Sequence, residues 1–253
     1  MGSDETFLAT RWKGFSEAAE QVKFHLPPLF GPHLAHMHLL SLNVALPRTI
    51  EYKGEAVETG IFKEATDARL RVCRLNIDGD GQADLSVHGG VDKAVYAFPV
   101  EHYATYRAQL EQDAYPFGQF GENLTTDGML ETDVRIGDRY RIGTALLEVS
   151  QPRSPCYKFA IRMGSVDALK LCIEQALTGF YLRVLEEGVI QAGDAIEAVS
   201  SDSAAPTVDA IHRLYYLDRK NRDGLVRAVA CDRLADAFRD DFRARLARLE
   251  ENA

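Results

Sequence analysis

The chain has only four cysteines in 253 residues, Cys73, Cys156, Cys172 and Cys231, and no two form a C-x-x-C pair. That scatter argues against a structural zinc site and against a disulfide framework. Basic residues are outnumbered 29 to 38, for a formal net charge of −9. An acidic surface repels a phosphate backbone, so no nucleic-acid polymer is expected as a partner, although a local pocket for one small anion stays open. No apolar run approaches the roughly 20 residues of a membrane span, so no membrane partner is expected either. The opening MGSDETFLATRWKG lacks the basic-then-apolar order of a signal peptide. The chain therefore reads as cytoplasmic. Also absent are a G-x-G-x-x-G following a strand and the clustered cysteines of a ferredoxin-type module. Neither a nicotinamide-binding fold nor a built-in iron–sulfur relay is signalled.

With 46% hydrophobic and 26% charged residues the composition is that of a globular protein. Residues 1–36 carry QVKFHLPPLFGPHLAH, with three prolines and no clear period, and read as an extension of unassigned role. Met37 is a candidate start. From there to residue 200 strands dominate: His38–Val44, Thr49–Tyr52 and Ala56–Thr59 about Lys53-Gly54, and Leu70–Ile77 before the turn Asp78-Gly79-Asp80-Gly81. Further strands are Ala94–Phe98, Tyr140–Ile142 and Leu146–Ser150 about Gly143-Thr144, and Phe180–Leu185. A weak echo links Val134-Arg135-Ile136-Gly137-Asp138 to Val189-Ile190-Gln191-Ala192-Gly193-Asp194, two strands entering a Gly-Asp turn. Helices are expected over 100–112 and 165–177. This is a β-rich α+β domain of barrel or folded-sheet type. After the Ser/Ala/Pro linker at 200–206, residues 207–250 show three helical faces: Val208, Ile211 and Leu214-Tyr215; Leu225, Val226 and Val229; Leu234, Phe238 and Phe242. They read as a satellite bundle too small to hold a site alone.

Three stretches could carry chemistry. In Val87-His88-Gly89-Gly90-Val91-Asp92-Lys93, the glycine pair allows close backbone approach and leaves amides for an anion, with His88 and Lys93 as polar tips. For that stretch alone, a glycine turn with a solvated lysine is the favoured reading. In Phe120-Gly121-Glu122-Asn123-Leu124, a carboxylate and an amide after a glycine suit the donors and acceptors of a pterin or purine, or a plain turn. In Gln151-Pro152-Arg153-Ser154-Pro155-Cys156-Tyr157-Lys158, two prolines stiffen the loop, and Arg153 and Lys158 flank the thiol, favouring thiolate. From the residues alone, three readings of Cys156 stay level. It is a single protein ligand to a metal whose other ligands come from a cofactor, a nucleophile paired with His88, or a buried structural cysteine. Cys172 and Cys231, each in an apolar helical run, read as small core hydrophobes.

Together, VHGGVDKAVYAFP, FGENLTTDG, the V-x-I-G-D turn and SQPRSPCYK resemble the MOSC domain, in the branch that also carries a C-terminal three-helix module. The resemblance spans roughly residues 38–250. It implies a β-barrel-like domain over 37–200, a helical module over 207–250, and a mononuclear molybdenum on a pyranopterin cofactor (molybdopterin). It implies that Cys156 ligates the metal and acts in catalysis. Arg153 and Lys158 would balance the cofactor's charge, and Gly121, Glu122 and Asn123 would lie on the pterin or substrate side. His88, Gly89, Gly90 and Lys93 would contact its phosphate or line the entrance. The implied activity is reduction of N-hydroxylated compounds such as 6-hydroxylaminopurine, with an external electron-donor reductase. The rival is a carrier of the cofactor or of sulfur that turns nothing over. A homodimer is left open.

Overall fold

A computed structural model of the chain describes residues 37–84 and 89–251; the expected extension over 1–36 and the site candidate His88 lie outside the described residues. The first half runs β1 (Met37–Val44), β2 (Arg48–Tyr52), β3 (Glu55–Thr59), β4 (Glu64–Thr66), β5 (Leu70–Cys73), β6 (Asn76–Ile77) and β7 (Val95–Pro99). Then come α1 (Glu101–Gln109), β8 (Leu124–Asp127), β9 (Arg139–Ile142), β10 (Ala145–Pro152), α2 (Tyr157–Met163) and α3 (Asp167–Gln175). The chain ends β11 (Phe180–Glu186), β12 (Gly188–Ile190), β13 (Ala195–Ser200), α4 (Val208–Tyr216), α5 (Arg222–Ala230) and α6 (Asp236–Glu251).

Seven strands close on themselves in the order β13-β9-β10-β11-β7-β8-β1, with β1 pairing back to β13 and β4 hung on its other end. All of these pairs are antiparallel except β7 with β8, and a closed ring leaves no edge to satisfy. The architecture is thus the expected α+β barrel followed by helices. Local chemistry matches the turns: β2 and β3 join through Lys53 (φ 54°) and Gly54 (φ 82°), the doubly left-handed hairpin turn that a glycine relieves. The internal echo is a repeated turn. Asp138 accepts from the Arg135 amide at 2.8 Å and Asp194 from the Gln191 amide at 2.9 Å. The two turns deliver β9 and β13, which pair with each other.

Several local expectations change. The expected strand 70–77 folds back at Arg74-Leu75 into the β5–β6 hairpin. The helix α2 replaces what reads as loop after Cys156, burying Phe159, Ala160 and Met163. On α5 the buried pair is Leu225 and Ala228, whereas Val226 is 42% exposed. The helices α4–α6 do not stand apart as a satellite. Val208, Ile211, Leu214, Leu225, Phe238 and Phe242 join the barrel's Leu147, Val149 and Ile136 in one apolar cluster. A second cluster, rich in aromatic rings, lies under α1–α3, with Phe98 stacked on Phe120 at 4.2 Å. No helix among the described residues is long and apolar enough to cross a membrane.

Candidate functional site

The strand β10 is buried along its full length, and Pro152 ends it opposite Phe180 of β11. The chain then turns through Arg153, Ser154 and Pro155 to Cys156, which precedes the first turn of α2. This turn forms one wall of a cleft that opens to solvent. Cys156, Arg153, Lys158, Lys93, Gly121 and Asn123, drawn from all three candidate stretches, line this one cleft.

Arg153 is 5% exposed, with its guanidinium 4.3 Å above the Phe159 ring and 5.5 Å from that of Tyr96. Burial opposes its charge, but a guanidinium binds its proton too tightly to lose it here, so Arg153 stays cationic. Its Nη1 is buried and, among the described residues, has no hydrogen-bond partner. An unpaired donor on a buried cation is costly unless a ligand takes it. The backbone here is held by a chain of buried groups. Glu131 meets His102 at 2.6 Å and accepts from the Thr178 and Gly179 amides at 3.0 and 2.6 Å. Thr178 donates its hydroxyl to the Arg153 carbonyl, and the Gly179 carbonyl accepts from the Arg153 amide at 3.2 Å. On the far side the Tyr216 hydroxyl of α4 reaches the Ser154 side chain. Arg153 is thus pre-positioned by the fold.

Lys158 donates to the Glu58 carbonyl at 2.8 Å, tying the hairpin β2–β3 to the cleft. Lys93 sits at the end of a short 3-10 turn, its ammonium weakened by burial and partly restored by Asp92. Asp92 is in turn fixed by Arg183 at 2.5 Å. Gly121 has φ 81°, and a Cβ there would stand 2.6 Å from the Ile61 side chain, so the loop can approach the opposite wall only as glycine.

Three candidates are placed differently from the sequence expectation. Glu122 does not line the cleft. It is fully buried, and its carboxylate accepts from Tyr103, from the Gly118 and Phe120 amides at 2.9 and 3.0 Å, and from Thr125 at 2.9 Å. It is the peg that folds the glycine loop, and this leaves Asn123 as the group facing the cleft. Gly90 is exposed at the head of the 3-10 turn, and neither it nor Gly89 is among the lining residues. Reading from the sequence missed Lys63, Asp80, Tyr96 and Tyr181, which share the walls. Asp80 carried a signal, a carboxylate between two glycines, but reads as a turn. Lys63 carried none.

The Glu122 peg makes a prediction. An amide at this position would turn an N–H toward donors, so Glu122→Gln should cost about 1–3 kcal/mol in denaturant unfolding. Burial raises the Glu122 carboxyl above its ordinary value, with the Tyr103 bond and the other donors offsetting part of this. A raised folded-state value gives stability that is complete below the unfolded pKa, about 4.3, and is lost as pH rises through the folded one. The gap between wild type and Glu122→Gln should therefore be wider at pH 4 than at pH 7. An equal gap at both would show that burial does not govern this carboxyl.

Comparison with known proteins places these features in a family. Residues 84–197 match the MOSC domain, and residues 206–249 match the YiiM-like, 3-alpha helix domain. The chain is 40% identical over 211 residues to the uncharacterized protein YflK of Bacillus subtilis (strain 168), covering 83% of this chain and 95% of that one. It is 39% identical over 146 residues to a Gibberella moniliformis (strain M3125 / FGSC 7600) protein named Reductase, covering 56% of this chain and 26% of that one. The crystal structure of YiiM from Geobacillus stearothermophilus is similar in fold, with a TM-score of 0.71 and 34% identity over 83% of this chain and 99% of that one.

Proposed function

The chain belongs to the MOSC-domain family in its YiiM-like form, and on that premise we propose that it is a molybdenum-cofactor-dependent reductase of N-hydroxylated compounds such as 6-hydroxylaminopurine. The observation that carries this reading is the Arg153 guanidinium, buried with an unspent Nη1, in the same cleft as Cys156. A buried cation with a free donor fits an anionic group, and a planar guanidinium fits a phosphate best. Among the described residues no three His, Cys, Asp or Glu side chains gather to hold a metal ion. A metal at Cys156 would therefore take its remaining ligands from a cofactor, and a lone soft thiolate suits that arrangement.

In this reading Cys156 ligates molybdenum, Arg153 holds the cofactor's anionic part, and Lys93 and Lys158 add positive charge along the walls. When bound, the cofactor supplies two-electron redox chemistry. The residues do the rest. The Phe159 and Tyr96 rings hold the Arg153 plane, Asn123 stiffens the wall by bonding the Tyr96 amide and the Asp80 carboxylate, and Gly121 keeps the cleft narrow. The relative named Reductase is in line with an oxidoreductase. Electrons come from an external donor protein, since the chain signals no dinucleotide fold or cluster relay of its own.

The test is turnover of 6-hydroxylaminopurine by protein made in a host able to supply the cofactor. Steady reduction is expected with reduced viologen or an added flavin reductase, and none with NADH or NADPH alone. Molybdenum bound without turnover under any donor would give the chain to the carrier reading instead.

A further inference from the structure

Lys63 is a lysine in the cleft wall that the cofactor reading does not use. It is 7% exposed and pairs with Asp80, itself 6% exposed, and both line the cleft. Asp80 is held from three sides: by Lys63, by the Ala45 amide at 3.0 Å, and by the Asn123 side-chain amide at 2.9 Å. Asn123 is locked in turn, its Oδ1 accepting from the Tyr96 amide at 3.1 Å. The carboxylate is thus fixed, and it fixes the ammonium. An ammonium has three donors. Among the described residues, Lys63 spends only the one on Asp80. Burying a charge with donors unspent is expensive, and such groups gather where function needs them.

We propose that Lys63 is the proton donor that converts the departing hydroxyl of the N-hydroxylated substrate into water, with Asp80 as the positioning residue; this rests on the reductase reading above. The overall change is R–NHOH + 2 e⁻ + 2 H⁺ → R–NH₂ + H₂O. The external donor supplies the two electrons, which reduce nitrogen as the N–O bond breaks. A proton passes from Lys63 Nζ to the departing oxygen, so water leaves in place of hydroxide. Nitrogen takes the second proton from solvent, and Lys63 is recharged from solvent through the open cleft. Burial lowers the proton affinity of Lys63, while Asp80 and the more distant Glu122 raise it. Arg162, whose guanidinium donates to the Lys63 carbonyl at 3.4 Å, is the charged group behind it. Lys93, Arg153, Lys158 and Cys156 line the same cleft. The net lowering suits an acid that must give up its proton near working pH.

Lys63→Arg keeps the charge and removes the transferable proton. In holoenzyme supplied with reduced viologen and 6-hydroxylaminopurine, kcat should fall by about 100-fold or more. Molybdenum and pterin content should match wild type. The wild-type kcat should fall with rising pH below the ordinary lysine range near 10.4, and Asp80→Asn should move that fall to lower pH. Independently of turnover, ¹³Cε titration of lysine-labelled wild-type holoprotein should show Lys63 and the half-buried Lys93 losing their protons below the other lysines. The Lys63 signal would be assigned by its absence in Lys63→Arg or its displacement in Asp80→Asn. A Lys63 that titrates with the surface lysines overturns the proposal. So does Lys63→Arg with wild-type kcat and pH profile, and so does Lys63→Arg emptied of cofactor, which would make Lys63 a cofactor ligand. Loaded wild type that turns nothing over sinks the reductase reading and this proposal with it. Wild type that turns over beside an equally fast Lys63→Arg sinks this proposal alone.

Discussion

Cys156→Ala should lose more than about a hundredfold in reduction of 6-hydroxylaminopurine, because removing even an outer-shell partner of a metal site typically costs 10–100-fold and this change removes the ligand itself. The informative comparison is with Arg153→Ala. Under the proposed function Arg153 holds the anionic part of the cofactor through Nη1, which is buried without a partner among the described residues, so its loss should empty the cleft of pterin and molybdenum together. Arg153→Lys should restore only part of the content, since the flat two-pronged donor is gone. Cys156→Ala removes one bond and leaves the Arg153 contact, so pterin should be retained better than activity. The other thiols provide controls. Cys172 is buried in α3, and burial pushes its thiol up, keeping it protonated. Cys231 at the end of α5 is half-buried and pushed up for the same reason. Alanine at either should leave molybdenum content unchanged. Wild-type turnover in Cys156→Ala would move the metal elsewhere.

What could be read from the residues divides along physical lines. Alternating and apolar runs bounded by glycine turns gave the strands at β1, β2, β3, β9, β10 and β11 within a residue or two, because those signals are local. The cleft's loop at Arg153–Cys156 was legible for the same reason: two prolines and two cations around one thiol are a local pattern. Glu122 was misread because its type and neighbours fit both a ligand group and a loop peg. Only tertiary packing decides that Tyr103 and Thr125 close around it. Lys63 and Asp80 were invisible as a pair, since they stand 17 residues apart and meet only when the 60–63 segment packs against the 80–81 turn. The helix α2 was missed because the prolines just before it dominate the local reading. The helices α4–α6 were legible as helices, but the sequence does not say what their apolar faces touch.

That contact leads to the other large effect. A fragment ending at residue 206 should fail to fold to a cooperative native state. In the intact chain the α4 residues Val208, Ile211 and Leu214 belong to the same apolar cluster as Leu147 and Val149 of β10. Thr207 caps α4 by accepting from the Ala210 amide at 3.1 Å, while Ile136 donates its amide to the Pro206 carbonyl at 3.0 Å. Deleting the helices therefore strips one face of the barrel's longest buried strand and removes Leu225, Phe238 and Phe242 from the cluster. Truncating one large buried side chain costs about 2–5 kcal/mol, and a whole domain holds only about 5–15 kcal/mol. Losing six such residues at once exceeds that range. The graded version is Phe242→Ala, which should cost about 3–5 kcal/mol while the chain still folds. Near-UV circular dichroism and a urea melt of the fragment decide the matter. A sharp transition in residues 37–206, at a midpoint close to that of the full chain, would show that the barrel's core is complete without the helices.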